Sequence, residues 1–133
     1  MVKISKRLIV LIILIIIAIC IVRFGFNGGE DNWIKDSKGV YVKHGNPSSV
    51  PDKVKEQREA IDCANKRYSF YSDKIEFNSQ CLGTCGNYVV DVVNIPRTAE
   101  DNKAENQCTD FREGKVNKFI ELDKNGKIVR IVD

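Results

Sequence analysis

The feature that most constrains this chain is an uninterrupted apolar run near its start. All 15 residues from Leu8 to Val22 are apolar, and with the residues up to position 26 the segment contains a single charge, Arg23. At about 1.5 Å per residue, a helix over 8–26 would be about 28 Å long, close to the roughly 30 Å hydrocarbon core of a bilayer. The run from Leu8 to Val22 therefore predicts a transmembrane helix over 8–26 that contacts lipid.

The flanking charges predict the orientation of this helix. Lys3, Lys6 and Arg7 precede the apolar run, and positively charged flanks stay in the cytoplasm. We therefore expect residues 1–7 to be a basic cytoplasmic leader and the helix to be a single-pass signal anchor. The remaining chain would lie outside, at the cell membrane.

Three alternatives compete with the anchor. A cleaved signal peptide has a similar charged start and would leave a secreted protein, although a small-residue cleavage site is only loosely matched by 18–20. A lipoprotein signal would use Cys20, but the preceding Ile19 is bulky. A buried core helix is the third alternative, and 15 apolar residues without a polar face suit lipid better.

The charge of the remaining chain excludes one class of function. After residue 26 there are 17 basic and 18 acidic residues, and the two signs are interspersed. A nucleic-acid-binding domain would concentrate Lys and Arg on one surface, so we expect no nucleic-acid partner.

The exported part is predicted to be one α+β domain. A polar, glycine-bearing linker at 27–32 precedes a domain at 33–133. Two turn sequences, Asp36–Gly39 and Asp123–Gly126, each lie between apolar segments and predict β-hairpins. Apolar residues at helical spacing predict one amphipathic helix between 49 and 71, beginning with a capping box at Ser49.

The strongest strand is 88–95, which is rich in valine and is predicted to be central. We expect the helix to pack on a mainly antiparallel sheet of about four or five strands. The order of helix, central strand and terminal hairpin, with the hairpin sequence at 119–129, resembles the end of small exported PepSY or cystatin-like modules. The resemblance is confined to that hairpin and implies no functional residues.

Four cysteines in the exported part are the main candidate site residues: Cys63, Cys81, Cys85 and Cys108. An even number in a small extracytoplasmic domain predicts two disulfides, and four cysteines allow three pairings. Joining Cys63 to Cys81 or Cys85, with the other joined to Cys108, would fix the long polar loop 97–114 to the core.

Two other hypotheses use the same sulfurs. Four thiolates could hold a zinc ion, with Cys81 and Cys85 as the local pair. Alternatively, Cys81 and Cys85 could form a thiol–disulfide redox pair, although redox pairs usually have two intervening residues and precede a helix. Here there are three, and a strand follows.

No other catalytic, cofactor or metal site is evident from the sequence. The only histidine, His44, lies in a turn-like stretch. Asp91, within the valine-rich strand, either faces solvent at one end of the sheet or is a functional carboxylate. The sequence thus predicts a non-catalytic binding module at the cell surface with an unknown extracytoplasmic partner; the alternative is a redox or zinc protein using Cys81 and Cys85.

Overall fold

The computed structural model describes residues 6–25, 31–73 and 80–133. Most of the predicted leader (1–7) and most of the predicted linker (27–32) lie outside the described residues. Asn32 is an exception, because it already belongs to the first strand. The first strand therefore begins one residue before the predicted start of the domain.

The segment predicted to cross the membrane is helical. Helix α1 spans Lys6–Gly25, and its described side chains, those of 9–20, are all exposed. The alternative of a buried core helix is therefore wrong. Among the residues that the structure describes, no helix is both long and apolar enough to cross a membrane. The transmembrane assignment is thus not supported by the described residues and stays a prediction.

The domain is α+β, as predicted. Its strands are β1 (Asn32–Lys35), β2 (Tyr41–His44), β3 (Cys81–Cys85), β4 (Tyr88–Val92), β5 (Lys118–Leu122) and β6 (Ile128–Val132). Its helices are α2 (Asp52–Tyr71) and the short α3 (Thr109–Arg112), with 3-10 turns at Glu100–Asn102 and Ala104–Asn106. The strands form a two-stranded sheet, β1-β2, and a four-stranded sheet in the order β3-β4-β5-β6.

The larger sheet is mainly antiparallel, but its two central strands are parallel. Strands β3 and β4 pair antiparallel, as do β5 and β6, whereas β4 and β5 run in the same direction. Parallel neighbours need a long crossover connection, and residues 93–117 provide it. Part of this crossover, residues 97–114, lies over one face of the sheet and is called the covering segment below.

Both predicted hairpins are confirmed, and they share one turn chemistry. In the first, Gly39 N–H donates to the Asp36 carbonyl (3.0 Å), and in the second Gly126 N–H donates to the Asp123 carbonyl (2.9 Å). Each aspartate also accepts a bond from the backbone N–H two residues later, at 2.8 Å. The carboxylates thus stabilise the turns, as the sequence predicts.

Helix α2 also follows the prediction, except at its start. The predicted capping box is wrong: the N-cap is Pro51, without a side-chain capping bond. Ser49 instead offers its carbonyl to the indole N–H of Trp33, at 2.9 Å. One buried polar residue, Gln57, attaches the small sheet to the helix, because its amide donates to the Gly39 carbonyl (3.0 Å) and accepts from Tyr41 N–H (2.8 Å).

The hydrophobic core lies between α2 and one face of the larger sheet. Ala60 and Ala64 of the helix pack against buried side chains of the central strands, which include Val90 and Ile120. Each fully buried aliphatic side chain of this size contributes about 1.5–3 kcal/mol. The small alanine side chains let the helix backbone approach the sheet closely.

Strand β3, which the sequence did not predict, contains a β-bulge. Its register against β4 shifts between Cys81 and Gly83, so Leu82 is the extra residue. Gly83 has a φ of +100°, a conformation that suits glycine. From α2, Arg67 donates to the carbonyl oxygens of Leu82 (3.0 Å) and Thr84 (2.8 Å). The guanidinium thus holds both carbonyls that flank Gly83.

Replacing Gly83 tests the bulge. In Gly83→Ala the new Cβ would lie 2.6 Å from Nη1 of Arg67 in an unfavourable φ region. We expect the free energy of unfolding to fall by about 2 kcal/mol or more, from backbone strain and weakened Arg67 bonds. Gly86→Ala is the matched control, because Gly86 also has positive φ (+59°) but open space around it, and should cost about 1 kcal/mol. Urea unfolding followed by Trp33 fluorescence measures both, and equal losses would contradict the interpretation.

Candidate functional site

A cleft between the larger sheet and the covering segment is the candidate functional site. It lies on the sheet face opposite α2 and has a volume of about 170 Å³. Its lining includes Asp91, Arg97, Asp101, Phe111, Glu121 and Arg130. These side chains come from three strands and the crossover, so the fold brings together residues that are far apart in sequence.

Strand register builds the floor of this cleft from Asp91, Glu121 and Arg130, and places Cys81 beside it. Cys81 pairs with Asp91, Asp91 pairs with Glu121, and Glu121 pairs with Arg130 across β3, β4, β5 and β6. Partners in adjacent strands project from the same face of a sheet. The four side chains, Cys81, Asp91, Glu121 and Arg130, therefore form one line across the sheet, which we call the polar row.

Glu121 is the buried anion of the polar row and is fully paired. Only 5% of the residue is exposed, and its carboxylate accepts two bonds from Arg130, at 3.0 and 3.1 Å. Arg97 of the covering segment donates a third, at 2.7 Å. Charge-assisted bonds of this kind offset the desolvation of a buried carboxylate. Arg97 thereby also fixes the covering segment to the sheet.

Asp101 has a structural role at the edge of the cleft. Its carboxylate accepts bonds from the Gln80 side-chain amide (2.7 Å) and from the backbone N–H groups of Asn94 (3.0 Å) and Thr98 (2.6 Å). Burial by itself would raise the pKa of Asp101, but the bonds from Thr98 and Asn94 outweigh it and hold the pKa below its usual value. Asp101 therefore remains ionised and organises the loop around it.

Asp91 is the unpaired carboxyl group of the polar row. It is half-buried and, among the ion pairs of the described residues, it takes part in none. Burial, reinforced by the nearby Glu121 carboxylate and opposed by Arg97, raises the pKa of Asp91 to about 7. The expectation that it faces solvent at one end of the sheet is wrong, because β4 is central and the covering segment lies above it.

Two disulfides fix the elements on either side of β3. Cys63–Cys85 joins α2 to β3 on the core side, and Cys81–Cys108 joins β3 to the covering segment on the cleft side. The predicted pair of disulfides is therefore present, in one of the arrangements that fix the long loop. Cys20 in α1 is free.

The structure separates Cys81 from Cys85. Each is bonded to a different partner, so the predicted Cys81–Cys85 redox pair does not form. The bulge at Leu82 is the reason. Residues four apart in a regular strand face the same side of the sheet, but the extra residue turns Cys81 and Cys85 to opposite sides. The four-thiolate zinc site does not form either, because all four sulfurs are in disulfides. Cys81, Cys108 and Asp91 have ligand-type atoms within 4.8 Å of one another, but those two sulfurs are bonded together.

The second depression on the described surface is larger but less informative. It has a volume of about 550 Å³, and its lining residues, from Glu59 to Tyr71, all belong to α2. A depression along one helix face brings together no groups from separate elements. His44, the only histidine, is exposed at the end of β2 and lines neither depression.

Comparisons with known proteins find no relative for this arrangement. No family model matches the chain, and neither the curated proteins nor the solved structures contain a match.

The pKa of Asp91 predicts how stability depends on pH. An unfolded aspartate loses its proton near pH 4, whereas folded Asp91 keeps it up to about pH 7. The native state binds more protons in this window, so this group's contribution falls as pH rises from about 4 to 7. Asp91→Asn removes the penalty, and we expect its free energy of unfolding to exceed that of the wild type by about 2–4 kcal/mol at pH 8, with little difference at pH 4.

Asp101→Asn is the control of opposite sign. Because its folded pKa is lowered, Asp101 stabilises the protein above about pH 4 and this contribution is lost in acid. The variant should therefore be less stable than the wild type at pH 8. Urea unfolding at pH 4 and pH 8 measures both variants, and an Asp91→Asn effect of equal size at the two pH values would contradict the assignment.

Proposed function

We propose that this chain is a single-pass membrane protein that holds a disulfide-bonded binding module outside the cytoplasm. In this proposal α1 is the anchor and the cleft along the polar row is the binding site. The single observation that carries the binding part is an unpaired carboxyl group, Asp91, in a cleft whose other acidic groups are already paired.

The sequence and exposure of α1 support the anchor. The apolar side chains described for 9–20 are all exposed, although residues of this type are usually inside. The domain therefore does not bury them, and lipid is the environment in which they would be favourable. The basic residues before the run support a cytoplasmic N-terminus.

The disulfides support export of the domain. Structural disulfides persist in oxidising compartments and are rare in the cytosol. Cys63–Cys85 and Cys81–Cys108 together involve every cysteine of residues 27–133. A domain of about 100 residues gains roughly 2–4 kcal/mol from each such bond, so its stability would depend on reaching such a compartment.

The chemistry of the cleft favours a cationic side chain as ligand. Asp91, Asp101 and Glu121 face Arg97 and Arg130, so these five groups carry a net charge of −1 once Asp91 is ionised. Phe111 and Phe119 pack edge to face, with ring centres 5.7 Å apart, and offer an apolar wall for a side-chain stem. Since the volume is below that of typical small-molecule sites, we propose a Lys or Arg side chain of a partner protein as the occupant.

The anchor and its orientation are tested together. The full-length chain should sediment with membranes after alkaline carbonate extraction, and alkylation without reduction should modify Cys20 alone. Reversing the charge of the leader should retain the domain in the cytoplasm, where its four thiols become alkylated. The variant combines Lys3→Glu, Lys6→Glu and Arg7→Glu.

A matched control reverses three exposed lysines of α2 instead, by Lys53→Glu, Lys55→Glu and Lys66→Glu. This control should behave like the wild type. Release of the wild-type domain into the medium would contradict the anchor, and four reactive domain thiols in the wild type would contradict export.

Binding is tested with two small probes at pH 8, where Asp91 is ionised. N-acetyl-arginine methylamide carries the charged group, and its citrulline counterpart is the uncharged match. A charge-assisted bond to Asp91 contributes about 1.5–3 kcal/mol, so the charged probe should bind the full-length protein about tenfold or more tightly. Calorimetry or NMR titration measures this difference.

The preference should disappear in Asp91→Asn and persist in Asp62→Asn, which removes an exposed carboxylate from α2. Equal affinity of the wild type for both probes would contradict the proposed site, as would an unchanged preference in Asp91→Asn.

A further inference from the structure

The Cys81–Cys108 disulfide has a carboxyl group in contact with one of its sulfurs. Oδ1 of Asp91 lies 3.2 Å from Sγ of Cys108. A disulfide sulfur carries no hydrogen, so any proton between these atoms belongs to the carboxyl group. Cys108 is 2% exposed, whereas Cys81 is partly exposed. Cys81 is therefore the more accessible residue of the pair, and we expect an incoming thiolate to attack its sulfur, with Cys108 as the leaving group beside Asp91.

We propose that Cys81–Cys108 undergoes thiol–disulfide exchange with external dithiols, and that Asp91 is the acid that protonates the departing Cys108 sulfur. This activity goes beyond binding at the cleft. It also differs from the redox pair expected from the sequence, because Cys108 replaces Cys85 as the partner of Cys81.

The exchange proceeds in two balanced steps. A thiolate of the external dithiol attacks Sγ of Cys81 and forms a mixed disulfide, and the bond to Cys108 breaks with its electron pair on Cys108. The Asp91 carboxyl group transfers its proton to that sulfur. The second thiol of the dithiol, after losing its proton to solvent, then attacks the external sulfur of the mixed disulfide. The Cys81 sulfur departs with the bonding electron pair and takes a proton from solvent. The dithiol is oxidised, and two protein thiols result.

The charged groups around Asp91 favour its acid form near neutral pH. Glu121 on β5 opposes ionisation of Asp91, and Arg97 of the covering segment favours it; burial adds to the effect of Glu121. Arg130 on β6 is bonded to Glu121, and the Asp101 carboxylate is satisfied by its own loop. Below about pH 7 Asp91 is protonated and can donate; above it, a carboxylate would repel the thiolate forming 3.2 Å away.

The second disulfide supplies an internal comparison. Cys63–Cys85 also combines a partly exposed cysteine, Cys63, with a buried one, Cys85. Within the described part of the chain, no carboxylate is hydrogen-bonded to either of its sulfurs. Both bonds experience the same reductant and solvent, so titration of the reductant cancels in the ratio of their reduction rates, and the pH dependence of this ratio reports groups close to the two bonds.

The test follows reduction of the oxidised full-length protein in detergent by dithiothreitol between pH 5 and pH 9. Samples are quenched with acid and alkylated, and mass spectrometry of peptides gives the rate for each bond. In the wild type, the rate ratio of Cys81–Cys108 to Cys63–Cys85 should fall about tenfold or more as pH rises through about 7. In Asp91→Asn the ratio should not depend on pH.

The sign of the Asp91→Asn effect separates acid catalysis from a structural role. Dithiothreitol should reduce Cys81–Cys108 more slowly in the variant than in the wild type at pH 5. At pH 9 it should reduce this bond faster in the variant, because no carboxylate repels the leaving sulfur. Loosened packing would instead accelerate reduction at every pH, and this result would overturn the proposal. A wild-type ratio independent of pH would overturn it as well.

Asp62→Asn controls for removing a carboxylate next to the other disulfide, and should leave both rates unchanged. A change in the Cys81–Cys108 rate in this control would also count against the proposal. The exchange assay contains no arginine probe and the binding assay contains no reductant. Exchange and cationic binding can therefore fail independently.

Discussion

One extra residue in β3 determines how the domain is held together. Without the bulge at Leu82, Cys81 and Cys85 would face the same side of the sheet. With it, Cys85 faces the core and reaches α2, while Cys81 faces the other side and reaches the covering segment. A five-residue strand thus fastens a layer of structure to each face of the sheet, and Arg67 stabilises the local geometry that makes this arrangement possible.

The same strand register concentrates charge on the face away from the core. Glu121 and Asp91 are cross-strand neighbours, which would be unfavourable if both were ionised and unpaired. The two carboxyl groups differ in their partners. Arg97 and Arg130 both donate to Glu121, whereas Asp91 has no arginine partner among the described residues, has a raised pKa and lies beside a disulfide sulfur. This asymmetry is the basis of both the proposed cation binding and the proposed proton transfer.

Local patterns predicted much of the fold. The turn at Asp123 and the spacing of Val54, Gln57 and Ala64 depend on nearby residues, so the hairpin and the helix could be read from the sequence. The parallel pairing of β4 and β5 could not, since it depends on where a long crossover returns the chain.

The site was less predictable than the fold. Asp91 was conspicuous among valines, but its neighbours Glu121 and Arg130 become recognisable only when the register of three strands is known. The choice of Cys81, rather than Cys85, as the partner of Cys108 likewise depends on the bulge, because the sequence leaves both arrangements open. The only indication of the bulge in the sequence is a glycine, Gly83, within the strand.

The order of the bonded cysteines has a consequence for damage to the chain. The pairs 63–85 and 81–108 overlap along the sequence, so each closed loop contains one cysteine of the other. A protease that cuts one peptide bond anywhere between residues 63 and 108 leaves two fragments that are still covalently joined. If the domain lies outside the cell, as proposed, a single cut within 63–108 would leave both fragments attached to the N-terminal helix. To release the C-terminal fragment, a second cleavage or the opening of a disulfide would be needed.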